Sequence, residues 1–128
     1  MPDIGRWMNT KEYFVAYSIM INAAKHQGFA TYQEIAQANA WPLAGSYMSK
    51  LIGGVIGLVS KNELEQGRPM LSAIVVGVSG KPGEGFYNWA RELGVLAEGE
   101  DEDAFWQNEC EKVFEEWKIS YPYRKIRE

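Results

Sequence analysis

The sequence is poor in the residues that form disulfides and metal centres. Its 128 residues include one cysteine, Cys110, and one histidine, His26. A single cysteine excludes an intrachain disulfide and a cysteine metal cluster, and a single histidine excludes a multi-histidine zinc site. Cysteine used so sparingly is typical of a reducing compartment, and we therefore expect a cytoplasmic protein.

Long apolar runs are absent as well. No run reaches the ~18 residues that a transmembrane helix needs. The first residues, Met1–Trp7, lack the basic start and apolar stretch of a signal peptide. We expect neither a membrane span nor a signal peptide.

What is present is an ordinary globular composition with an uneven charge. Apolar residues make up 46% of the chain and aromatic residues 13%, which is enough for one domain with a sizeable core. The net charge of −4 argues against an avid nonspecific nucleic-acid binder. Residues 1–91 hold eight Lys and Arg against six Asp and Glu, a net of +2, whereas residues 92–128 hold five against eleven, a net of −6.

The acidic residues are concentrated in one short run, Glu98–Asp103, and along the helix predicted after it. Such a run is typical of a solvated linker and helix face. The alternative is a surface for a basic protein partner, formed by Glu98, Glu100, Asp101, Glu102 and Asp103. The chain turns basic again over Tyr121–Arg127, so an acidic average does not exclude a local basic face.

Capping boxes and apolar periodicity predict a succession of helices. Asn9–Glu12 and Thr31–Glu34 both fit a capping box, with Asn9 and Thr31 as the caps. On the first helix, Phe14 is expected on the apolar face. The predicted helices run to about residue 27, over 32–39, from 44–46 to about 66, over 86–93, and from a cap at Asp101 or Asp103 to about 119.

One convincing strand and one glycine-rich loop interrupt the helices. Met70–Val78 is a nearly continuous apolar run with β-branched residues, which predicts a buried strand. Gly80–Gly85 follows as a turn-rich loop that could cradle an anion but lacks the phosphate-loop spacing. In the last helix, Trp106, Cys110, Val113 and Trp117 form one apolar stripe.

No catalytic, metal or cofactor signature is found in this pattern. Cys110 lies on the apolar stripe of the last helix, where a free cysteine usually serves as a small buried hydrophobe rather than a nucleophile. We therefore expect a protein that is not an enzyme and that uses no cofactor.

The order of motifs resembles a known family. The motifs are, in order, Thr31-Tyr-Gln-Glu-Ile-Ala36, Pro42, a helix with Lys50-Leu-Ile-Gly-Gly54, a strand and a glycine-rich turn. This order is similar to that in the winged-helix DNA-binding domain of alkylguanine-DNA alkyltransferases and alkyltransferase-like proteins. The resemblance covers roughly Thr31–Gly85. The stretch from Gln66 to Phe86 is also similar to small uncharacterised bacterial and phage proteins.

The resemblance implies roles for two residues. Tyr32 matches the tyrosine that acts at the target nucleotide's phosphate, and Lys50 matches the arginine finger that enters the duplex as the base flips out. The reactive cysteine of the family is missing from the strand Leu71–Val76. Alkyl transfer needs a thiolate acceptor, so the resemblance implies binding without alkyl transfer.

Together these observations predict an α+β fold with a winged-helix-like helix-turn-helix core, a short sheet and a C-terminal helical extension. Residues 1–97 would form the core, and residues 98–128 an acidic linker with an amphipathic helix packed on it. The predicted function is noncatalytic binding of nucleic acid, most simply duplex DNA. The predicted contact residues are Tyr32, Lys50, Lys61, Arg68 and Lys81. The alternative is a protein-interaction module, such as a bacterial or phage accessory or inhibitor protein, that uses its acidic C-terminal region.

Overall fold

The computed structural model describes residues 2–119, and helices account for 64% of that part of the chain. The predicted α+β winged-helix core is therefore wrong, because the sheet is limited to two strands of two residues each. The elements, in chain order, are a 3₁₀ turn at Gly5–Trp7, α1 at Lys11–Lys25, β1 at Ala30–Thr31, α2 at Tyr32–Ala38, α3 at Gly45–Glu65, a second 3₁₀ turn at Leu71–Ile74, β2 at Val75–Val76, α4 at Glu84–Glu92 and α5 at Glu102–Trp117.

Side-chain caps fix where several helices begin. The capping box at α2 is confirmed, since the Glu34 amide donates to Thr31 Oγ1 and the Thr31 amide donates back to Glu34 Oε1. Asp101 caps α5 by accepting from the Ala104 amide. The predicted cap at Asn9 is wrong. Thr10 caps α1 instead, and Asn9 has a positive φ of 61° in the turn that precedes it.

The predicted strand over Met70–Val78 is also wrong. Most of this run is buried, as expected, but Leu71–Ile74 forms a 3₁₀ turn and only Val75–Val76 is extended. Outside Val75–Val76, side chains bind two amides of this run. The Met70 amide donates to Glu109 Oε2 at 2.8 Å, and the Ser72 amide donates to Ser60 Oγ at 3.0 Å.

The small sheet joins two distant parts of the chain. β1 and β2 run parallel, with Ala30 opposite Val75 and Thr31 opposite Val76. All four residues are buried or half-buried. The pairing fixes the start of α2 beside the buried segment that precedes α4, and so places Tyr32 next to the loop that leads into α4.

One hydrophobic core runs through all of the long helices. α1 contributes Tyr13, Ala16, Met20 and Ala24, and α5 contributes Phe105, Cys110 and Val113. Trp106 and Trp117 of the predicted α5 stripe pack on this core only partly buried. Phe14, expected on the apolar face of α1, is 56% exposed, because the buried face of α1 is rotated onto Tyr13.

A charged network is buried between α1 and the end of α3. The Glu63 side chain is 1% exposed and accepts from Arg68 Nη2 at 2.6 Å and from the Tyr17 hydroxyl at 2.9 Å. The Trp117 ring covers Arg68, with the guanidinium carbon 5.7 Å from its centroid. A buried carboxylate is stable only when paired, so this network holds the C-terminal end of α5 against α1 and α3.

Within residues 2–119, each helix is too short or too polar to cross a membrane.

Candidate functional site

A groove of about 780 Å³ lies between the first half of α3, one face of α4 and the N-terminal segment Pro2–Trp7, which we call the strap. A cavity of this size falls in the range of ligand-binding sites in proteins. Its lining includes Tyr32 and Tyr47, Phe86 and Trp89, Lys50, Gly53, Gly83–Gly85, and residues of the strap.

The glycines of α3 explain how the strap approaches the helix so closely. A Cβ at Gly54 would lie 2.6 Å from Trp7 Nε1 and 2.7 Å from the Asp3 carbonyl oxygen. At Gly57, Trp89 Nε1 donates to the backbone carbonyl at 2.9 Å. The strap and α4 therefore both pack directly on the α3 backbone, and they form two walls of the groove.

Gly53 has a different environment from its neighbour. A Cβ at Gly53 would meet no atom within 4 Å, and the residue lines the groove. Its missing side chain leaves the α3 backbone accessible from the groove. A ligand can approach a backbone more closely at such a position than at any other residue type.

Tyr32 braces the wall formed by α4. Its hydroxyl accepts a hydrogen bond from the Gly83 amide at 2.7 Å, and its ring lies against Gly77. Burial raises the pKa of Tyr32, with the Gly83 amide acting in the opposite direction. The hydroxyl is thus already bonded to the protein, which favours a positioning role for Tyr32.

The charges around the groove are mixed and slightly acidic. Lys50 on α3 is exposed, and Arg6 of the strap lies over the Trp7 ring at 4.6 Å from its centroid. Against these two cations, the lining carries three carboxylates, Asp3, Glu84 and Glu92. The sum is −1, so the groove does not have the strongly positive character that phosphate chains require.

The structure separates the five predicted contact residues. Tyr32 and Lys50 both line the groove, whereas Lys61, Arg68 and Lys81 do not. Lys61 is paired with Glu65, and Arg68 belongs to the buried network around Glu63. Lys81 is exposed, with Asp103 3.8 Å away.

Most of the acidic run has local partners. Arg91 pairs with Glu102 at 2.8 Å and with Glu98 at 3.6 Å. The Ala97 amide donates to Glu100, Asp101 caps α5, and Asp103 faces Lys81. These contacts order the turn that leads into α5. They give most of the acidic run a structural role that requires no protein partner.

Within residues 2–119, the His, Cys, Asp and Glu side chains do not form a metal site, and Cys110 is not activated as a nucleophile. No group of three His, Cys, Asp or Glu there could hold a metal ion. Cys110 is buried, with Sγ 3.5 Å from the Ala73 carbonyl oxygen. Burial, and then the charges of Glu109 and Glu111, raise the pKa of its thiol to about 12, so it is a poor nucleophile at neutral pH.

Several lining residues were not singled out from the sequence. Tyr47 is 59% exposed at the groove. Glu84, Asn88 and Glu92 line it at intervals of four along α4, a spacing that places them on one helix face. The sequence could have shown this spacing, but the predicted helix began at Phe86, which left Glu84 in the preceding loop.

Comparison with known proteins adds no further assignment. No protein-family model matches the chain, and neither the curated proteins nor the solved structures contain a significant match.

Proposed function

We propose that the chain is a noncatalytic protein-interaction module that binds a polypeptide segment carrying basic side chains in its groove. The observation that carries this proposal is the groove itself, which has an accessible backbone at Gly53, aromatic walls and more carboxylates than cations. The interaction surface proposed here differs from the acidic run at Glu98–Asp103, most of which has local partners.

Shape and surface chemistry favour a polypeptide. The backbone at Gly53 and at Gly85 is open, since a Cβ at either position would meet nothing within 4 Å. Tyr47 supplies an exposed aromatic ring, one of the side chains that contribute most to binding at protein interfaces. Close approach to the α3 backbone beside aromatic rings suits a chain that offers apolar anchors.

The charge of the groove favours basic side chains on that partner. Glu84 lies in the first turn of α4, and Asp3 lies across the groove on the strap. A phosphate chain would approach these carboxylates at a cost, whereas lysine or arginine side chains would gain from them. Lys50 and Arg6 remain available for a carboxylate or a main-chain carbonyl of the partner.

Nucleic-acid binding is the second candidate, favoured by one observation. Tyr32 and Lys50, which the family resemblance selects together, line the same groove although they lie in different helices. This reading predicts that Lys50→Ala lowers affinity for duplex DNA and flattens its salt dependence by about one unit. Lys61 and Arg68 do not line the groove, and each forms an ion pair elsewhere.

Fluorescence anisotropy at low salt separates the two candidates. The probes are a short labelled peptide alternating lysine with tyrosine and leucine, the same peptide with glutamate for lysine, a short duplex DNA and its single strand. We expect the lysine peptide to bind and the glutamate peptide not to bind. Binding of DNA without the peptide would transfer the assignment to nucleic acid, and no binding of any probe would overturn both.

A groove-filling variant tests where the probe binds. In Gly53→Leu the Cβ enters open space and leucine is a better helix former than glycine, so we expect the fold to be retained. We expect affinity for the lysine peptide to fall by about ten-fold or more, equivalent to about 1.4 kcal/mol. Lys61→Ala, on the same helix but away from the groove, is the matched control and leaves affinity unchanged. Equal binding by Gly53→Leu and the unmodified protein would refute this site.

A further inference from the structure

The last nine residues of the chain, 120–128, have the chemistry that suits the groove. They lie outside the described residues, and their sequence is Ser-Tyr-Pro-Tyr-Arg-Lys-Ile-Arg-Glu. We infer that this C-terminal segment is itself a ligand of the groove and competes there with the protein partner. The inference rests on the proposed function, since it assigns an occupant to the same site.

Charge is the first argument for this pairing. The segment carries three cations, Arg124, Lys125 and Arg127, against the single acidic side chain of Glu128. The groove lining carries three carboxylates against two cations. The two surfaces are therefore opposite in sign, and Tyr121 and Tyr123 add the aromatic rings that favour binding beside Tyr47.

Reach is the second argument. Trp117, at the end of α5, packs over Arg68, which is bonded to Glu63 near the end of α3. Glu63 and Gly53 are ten residues apart on that helix, or about 15 Å at 1.5 Å per residue. Nine extended residues span about 30 Å, which leaves about 15 Å to pass around a helix about 10–12 Å wide.

An occupant on the same chain changes how an external partner binds. A tethered segment has an effective concentration in the millimolar range when its length suits the span. An external segment must then displace it, so the apparent affinity of the groove is lower in the intact chain than in a chain whose own segment cannot bind.

The test uses the full-length chain with the three cations of the segment replaced by serine, Arg124→Ser, Lys125→Ser and Arg127→Ser. The probe is a labelled synthetic peptide with the natural sequence of residues 119–128. We expect this variant to bind the peptide about ten-fold more tightly than the unmodified chain, because its groove is no longer occupied. Adding Gly53→Leu to the variant should abolish the gain.

The outcomes distinguish this inference from the proposed function. Equal affinity of the two chains for the peptide, lost in Gly53→Leu, would overturn the role of the segment and leave the groove as a peptide site. No binding of either this peptide or the lysine probe to either chain would overturn both proposals. Tighter binding that survives Gly53→Leu would place the peptide elsewhere and refute the inference.

Discussion

Two adjacent glycines of α3 should respond in opposite directions to the same substitution. In Gly54→Ala the new Cβ would lie 2.6 Å from Trp7 Nε1 and 2.7 Å from the Asp3 carbonyl oxygen. One of these contacts is backbone, so the strap must shift. Overpacking of this kind costs about 1–3 kcal/mol. Alanine gains about 1 kcal/mol over glycine inside a helix, so the net effect of Gly54→Ala is a loss of up to about 2 kcal/mol.

Gly53→Ala is the matched control, because its Cβ meets nothing within 4 Å. This variant has the higher helix propensity of alanine without a steric clash against the strap, and it should stabilise the protein by about 0.5–1 kcal/mol. Urea unfolding followed by tryptophan fluorescence measures both variants. Gly54→Ala should also expose Trp7, now 6% exposed, and shift the native emission to the red. If the two variants are equally stable, the strap does not rest on Gly54.

Three further predictions concern the rest of the fold. Tyr17 and Cys110 both have pKa values raised to about 12, by burial first and by Glu63 or Glu109 next. Folding therefore favours the neutral form of each group. The stability that this contributes is fully present below the ordinary pKa values, 10.0 for Tyr17 and 9.0 for Cys110, and it is lost as the pH rises through about 12. Urea midpoints should fall over that interval, and Tyr17→Phe should flatten the decline above pH 10; an unchanged midpoint would contradict this. Thr31→Ala removes the cap of α2 and should cost about 0.5–2 kcal/mol in urea unfolding, with Ser18→Ala on the exposed face of α1 as control. Trp117→Ala should cost about 2–3 kcal/mol, below the usual 3–5 for a fully buried aromatic, because its ring is only partly buried; an unchanged melting curve would show that the end of α5 does not pack on the core.

Local signals predicted much of the helical structure. Thr31 and Glu34 form the capping box that their spacing indicates, and α3 begins and ends within about one residue of the predicted limits. Asp101, one of two predicted caps, begins α5. These features depend on neighbours in sequence, and for that reason a sequence pattern is sufficient to find them.

Features that depend on distant residues were predicted poorly. The apolar run after Pro69 has the pattern of a strand, but its Met70 and Ser72 amides bind Glu109 and Ser60, which are remote in sequence. The different surroundings of Gly54, which packs on the strap, and of Gly53, which is open, also depend on a distant part of the chain. The groove could not be predicted, because its walls come from the strap, α3 and α4, and only the folded chain brings these together.

The strap has a consequence for the order in which the protein acquires its structure during synthesis. Trp7 is among the first residues to be translated, but it packs on Gly54, and the strap and Trp89 both contact Gly57. At the usual 5–20 residues per second, the interval between translation of Trp7 and Trp89 is about 4–16 s. During that time a nascent chain exposes an indole ring and a bare glycine face on α3. Chaperones and proteases would therefore meet this glycine face well before Trp89 of α4 can pack on it.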